Sequence, residues 1–157
     1  MESCHVMAIP NSSGVGNSGA GNDAFKKALR LLSTEGLDGA IMVVERELES
    51  DPKNWEAWSA KADILYFQGN YDASMRCCER SISLNSKNAL AFNIKGNILY
   101  KLGKYKEAIE CYNRAIEIEP LFVKAWYNKK NASELQLKKS RVRVHYLVPR
   151  ESRKKEQ

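Results

Sequence analysis

Three sets of residues in this 157-residue chain are of types that do chemistry. Gly14, Gly16 and Gly19 have the spacing of a G-x-G-x-x-G loop, whose backbone N–H groups cradle a dinucleotide pyrophosphate. That loop needs a strand before it and a crossover unit after it. Here Pro10, Asn11, Ser12 and Ser13 precede it, and helical periodicity follows. The P-loop variant fails too, because Ala20 and Gly21 stand where Lys and Ser/Thr are required. The glycines therefore read as linker. The second set is His5 and His145, the two histidines and the obvious general bases. Each lies near an end of the chain, outside any element that could hold it within hydrogen-bond reach of a reacting group. The third set is Cys77-Cys78 and Cys111, with Glu45, Glu47 and Glu49. Adjacent cysteines on a helix point about 100° apart, a poor chelate, so core packing is the default. The glutamates read as a solvated helix end. No catalytic centre, cofactor site or metal site is expected.

The elements that would position any site come from a repeat. Ala57, Trp58, Tyr66, Gly69, Tyr71, Cys77, Arg80 and Ile82 recur 34 residues later as Ala91, Phe92, Tyr100, Gly103, Tyr105, Cys111, Arg114 and Ile116. Within a unit, apolar residues follow helical spacing: Trp58, Ala62, Leu65 and Tyr66, then Tyr71, Ser74, Met75, Cys78 and Ile82. Gly69 and Gly103 punctuate two such runs. Small residues (Ala62, Gly96, Ser74, Ala108, Ser81, Ala115) stand where helices cross closely, and large ones (Trp58, Phe92, Tyr112) fill gaps. One helix pair cannot bury its apolar face alone, so neighbours must stack.

On these residues the chain resembles the tetratricopeptide repeat family. Its aromatic, small, Gly, Tyr, small, aromatic, small, Pro series appears as Phe92, Gly96, Gly103, Tyr105, Ala108, Tyr112, Ala115 and Pro120. The resemblance implies an all-α fold, an α-solenoid of stacked antiparallel helix pairs. Residues 1–21 are expected as a Gly/Ser/Asn-rich flexible tail and 22–139 as the array. The array holds a degenerate repeat (21–54), two good repeats (55–88 and 89–122) and a closing helix (121–138). In the degenerate unit Ala24, Ala28, Leu31 and Leu32 form one face, and Leu37, Ala40, Ile41, Val44 and Leu48 a second. Glu47 replaces the small residue at the Ala115 position. In the closing helix Lys130 replaces Gly96, tolerable if no further helix crosses there. Trp126 is expected inward, with Lys129, Lys130, Glu134 and Lys138 outward.

Charge is segregated. The formal net charge of +6 divides into −2 over residues 1–123 and +8 from Lys124 onward. Residues 140–157 therefore read as a basic tail. Within it Arg141 to Val148 alternates as a half-buried strand would, which could pair with a partner or with a second copy. No apolar run reaches the roughly 18 residues of a membrane span. Four cysteines without metal-ligand spacing, and no evident leader, make a cytoplasmic protein the expectation.

In the family the first helix of each pair lines a concave groove. Carried over residue by residue, the groove comprises Ser59, Asp63 and Tyr66, then Asn93, Asn97, Tyr100 and Lys101, then Lys124, Tyr127, Asn128 and Asn131. Amides that both donate and accept, beside tyrosines, suit an extended peptide. The implied function is a non-enzymatic scaffold for a peptide or partner protein. The alternative is a basic adaptor whose tail binds nucleic acid or an anionic surface. Some family members clamp the acidic C-termini of heat-shock chaperones with Lys, Asn, Asn, Lys and Arg. The corresponding residues here are Ser59, Asp63, Ile94, Lys124 and Asn128, of which only Lys124 fits. One repeat earlier they are Phe25, Leu29, Ala60, Leu90 and Ile94, so that partner is not expected.

Overall fold

The structure, a computed structural model, describes residues 36–147, with side chains described to residue 141. Six α-helices follow one another: α1 (Gly36–Ser50), α2 (Trp55–Phe67), α3 (Tyr71–Leu84), α4 (Ala89–Lys101), α5 (Tyr105–Ile118) and α6 (Val123–Leu147). Among the described residues there is no strand.

Asparagines begin three of these helices. Asn54 accepts the Ala57 N–H at 3.0 Å, Asn70 that of Ala73 at 3.3 Å and Asn88 that of Ala91 at 3.2 Å. Each satisfies a donor that a helical first turn leaves unpaired, and an Asn→Ala change at such a cap costs about 0.5–2 kcal/mol. Gly69 and Gly103, at φ +78° and +72°, sit just beyond α2 and α4. This left-handed backbone costs glycine little and lets the chain turn back at once.

The helices stack as antiparallel pairs, α2 on α3 and α4 on α5, with α3 packing on α4 and α5 on α6. The first helices also touch one another, α2 to α4 and α4 to α6, whereas among the described elements α3 and α5 do not. A wall whose helices close up on one side and spread on the other is bent, with the first helices on its inner side. The seams are built from small residues. Ala62, Ser74, Cys78, Ser81, Ala91, Ala108, Ala115, Ala125 and Ala132 are all fully buried. Gly96 is the tightest point, since a Cβ there would stand 2.5 Å from the Tyr112 ring. Two surface ion pairs repeat with the array, Lys61–Glu45 at 2.8 Å and Lys95–Glu79 at 3.1 Å. Exposed pairs of this kind contribute about 0.2–1 kcal/mol each.

Only the second half of the degenerate unit is described. In α1, Ala40, Val44 and Leu48 are buried, and Leu37 and Ile41 pack against them. Glu47 is half-buried rather than crowded, because its carboxylate accepts the Asn54 side-chain amide at 3.3 Å. The first helix of that unit, the glycine-rich tail, His5, Phe25, Leu29 and residues 148–157 lie outside the described residues.

Four expectations for the C-terminal end are corrected. The closing helix does not stop at Lys138 but runs to Leu147. Residues 141–147, which alternate in sequence, are therefore helical, and the strand pairing with a partner or second copy is withdrawn. An established helix gains one hydrogen bond per residue added, so elongation carries it through the weaker formers Val142, Val144, His145 and Tyr146 and overrides a short alternation. Trp126, expected inward, is 49% exposed. Its equivalent Phe92 is half-buried and packs against the cluster of Ala89, Ala115 and Ala125. No second helix follows α6 among the described residues, so none covers the outer face of Trp126; its indole N–H donates to the Pro120 carbonyl at 2.9 Å, as that of Trp58 does to Pro52 at 3.0 Å. Lys129 lies over the indole at 5.2 Å, half-buried rather than fully outward, while Lys130, Glu134 and Lys138 are exposed.

Candidate binding groove

The inner side is built from the first helices, and its centre is an amide cluster. Asn93 and Asn97 lie one turn apart on α4, a spacing that places them on the same face. Asn128 of α6 donates its side-chain N–H to the Asn93 carbonyl oxygen at 3.1 Å and to that of Asn97 at 2.9 Å. The Tyr112 hydroxyl, from the second helix α5, donates to the same Asn97 oxygen at 3.0 Å. The Asn97 Oδ1 thus holds two donors, while the Asn97 NH₂ and the Asn128 carbonyl make no hydrogen bond among the described residues. No buried side-chain nitrogen or oxygen lacks a partner. Neither group is therefore fully buried, one a donor and one an acceptor, and the Asn93 NH₂ likewise makes no hydrogen bond among the described residues.

Asp63 of α2 occupies the register of Asn97 one repeat earlier. Burial pushes its carboxyl up from 3.8 to about 6, and the Lys124 ammonium draws it part of the way back. Tyr66 lies a turn further along α2. Its phenol is raised first by burial and then by Tyr71, Asp63 and Tyr100, which places these groups in one neighbourhood. Tyr66 and Tyr71 pack with ring centroids 5.8 Å apart, and Tyr100 and Tyr105 repeat the arrangement at 5.5 Å.

Of the residues read from the sequence, the structure joins Asn93, Asn97 and Asn128 directly and sets Asp63 in reach of the Lys124 field. Tyr66 and Tyr100 are half-buried beside them. Lys101, Lys124 and Tyr127 are exposed, Tyr127 to 65%. Asn131 is half-buried and makes no side-chain hydrogen bond among the described residues. Ser59 is corrected. It is only 2% exposed, and its hydroxyl lies 2.8 Å from that of Ser81, while the Asn88 amide donates to both. The position is buried in both repeats, since its equivalent Asn93 is only 4% exposed, and Asn88, which stands where the later repeat has Phe122, gives Ser59 a buried polar partner. Tyr112 was read only as a gap filler. Its hydroxyl nevertheless holds the groove floor, and the signal was available in a donor at the end of a large core side chain. Burial raises the Cys77 and Cys111 thiols and pushes Cys78 up to about 12, so all three are held protonated. Among the described residues no three His, Cys, Asp or Glu side chains could hold a metal ion, and no helix is long and apolar enough to cross a membrane.

Residues 56–88 and 89–121 each match a tetratricopeptide repeat model. The chain is a tetratricopeptide repeat protein. Its fold is shared with solved tetratricopeptide domains. The first such domain of human RPAP3 superposes with a TM-score of 0.70 at 21% identity, covering 77% of this chain and 95% of that one. The first domain of Spaghetti (RPAP3), bound to the HSP90 peptide SRMEEVD, gives 0.67 at 20%, covering 74% and 93%. The Arabidopsis OM64 domain gives 0.65 at 17%, covering 73% and 95%. No curated protein matches the sequence. At these identities the likeness concerns the tetratricopeptide fold alone.

Proposed function

We propose that this tetratricopeptide repeat protein is a non-enzymatic interaction scaffold that holds an extended peptide, or an extended segment of a partner protein, against α2, α4 and α6. The observation that carries the reading is the set of unused amide groups at the centre of that face. The Asn97 NH₂ and the Asn128 carbonyl offer one donor and one acceptor, the complement of one peptide unit. Tyr66 and Tyr100 supply rigid amphipathic surface beside them. The fold neighbour solved with SRMEEVD supports peptide binding as a use of this architecture. An acidic terminus is a poor ligand here. Ser59 and Ile94, two of the five clamp positions, are buried, and Asp63, a third, would repel a carboxylate.

A screen of bead-bound randomised octapeptides tests this reading. Saturable binding is expected, and Asn97→Ala/Asn128→Ala should weaken it about tenfold or more, the cost of two hydrogen bonds. Unchanged affinity in that variant, with its helical content retained, would contradict the reading. A second reading, binding of nucleic acid or an anionic surface through residues 140–157, is favoured by one feature. Helix α6 runs on past Ser140, where it lies beside Gly103 and Tyr105 at the start of α5, and it exposes Lys138, Lys139 and Arg141. Such binding would fall steeply with salt, whereas groove binding would change little.

A further inference from the structure

We propose that Asp63 anchors a cationic side chain, arginine or lysine, of the peptide that lies in the groove; this rests on the groove reading above and names the chemistry of its ligand. The argument compares two levels of the array. At the later level, the Asn97 oxygen receives the Tyr112 hydroxyl and the Asn128 amide. One repeat earlier, the same three positions hold Asp63, Cys78 and Ile94. Both donors have gone, since a thiol donates weakly and Ile94 cannot donate at all. Cys78 and Ile94 are buried, and among the described residues Asp63 makes neither a hydrogen bond nor an ion pair. Because no fully buried side-chain oxygen is left without a partner, its carboxylate keeps contact with solvent.

A half-buried carboxylate without a donor is costly, and the described residues offer no internal remedy. The groups whose charge bears on it are Lys124 from α6, Tyr66 on its own helix and Cys78 on α3, with Tyr100 of α4 beside Tyr66. Lys124 alone has the opposite sign, and it is exposed and forms no ion pair with Asp63. A ligand cation supplies the missing partner. A guanidinium can engage both carboxylate oxygens, and the Tyr66 and Tyr100 rings beside the site favour a cation over a neutral group. A metal ion is a weaker candidate, because no second and third ligand converge there among the described residues.

The test is a positional-scanning octapeptide library with a fluorescent read-out, run on the full chain and on Asp63→Asn. The variant places at this level the residue already present at Asn97 and Asn131, so its fold should be retained. The wild type should select Arg or Lys at one fixed position. Asp63→Asn should lose that selection about tenfold, the effect of one charge-assisted hydrogen-bond pair, while keeping its contacts with the peptide backbone. Asp63→Lys should instead select Asp or Glu at the same position. If the wild type binds peptides with no Arg or Lys preference, or if Asp63→Asn keeps that preference, the anchor is wrong and the groove survives. Absence of saturable binding to any library member overturns both.

Discussion

Two neighbouring levels of one array solve the same packing problem in opposite ways. At the first, Ala62 faces a buried Cys78; at the second, Gly96 faces a buried Tyr112. The tyrosine ring fits only because Gly96 has no side chain, and the smaller cysteine leaves room for the methyl group of Ala62. The exchange of volume carries a polar consequence. Tyr112 brings a hydroxyl to the Asn97 oxygen, whereas Cys78 brings nothing comparable to Asp63. Core packing on the second helices therefore decides which groove group is already satisfied and which is open to a ligand. A scaffold can alter its specificity through residues the ligand never touches.

Changes at these positions can break or sharpen that contrast. The largest effect should come from Tyr112→Ala, which empties the second level and should cost about 3–5 kcal/mol in urea unfolding. Gly96→Ala should cost about 1–3 kcal/mol, because the new methyl group meets a ring that cannot move aside. Combined with Tyr112→Cys it should fall short of additivity by about 1 kcal/mol or more, since the pair then copies the first level. Strict additivity would mean the two positions do not share a volume. Asp63→Asn should stabilise the protein at neutral pH by about 1–2 kcal/mol, allowing for solvent at a half-buried carboxylate. The sign follows from protonation. The folded-state pKa is raised from 3.8 to about 6, so the folded form holds the proton more tightly. This contribution is fully present below about pH 4 and is lost as pH rises through 6. The difference in melting temperature between wild type and Asp63→Asn should open across that window. Tyr112→Phe should show the smallest effect, about 1 kcal/mol, the loss of one hydrogen bond with the ring retained.

Much of the fold was legible because it is periodic. A 34-residue offset aligns Gly69 with Gly103 and Ala57 with Ala91, and both pairs keep their roles in three dimensions. What the offset could not show is contact between different columns of the repeat. Asn97 and Asn128 are not equivalent positions, so their bond across α4 and α6 is invisible to the alignment of units. Ser59 was assigned to the groove by register, yet this register is buried in both repeats, as the 4% exposure of Asn93 shows, and the Asn88 amide holds Ser59 in a polar cluster that the offset could not show. Residues 141–147 deceived for a different reason. A period of two over a few residues was read locally, while α6 was already nucleated upstream and simply continued. Asp63 was readable as a groove residue, but its lack of donors emerged only when Cys78 and Ile94 were set against Tyr112 and Asn128.

The most direct measurement is an NMR titration of the full chain with the tightest octapeptide from the library, following the side-chain amides of Asn97 and Asn128 and the rings of Tyr66 and Tyr100. Saturable shifts concentrated on these groups, with α3 and α5 little changed, are predicted. Shifts centred on α3 and α5 instead would show that the ligand uses the outer wall and would contradict the account.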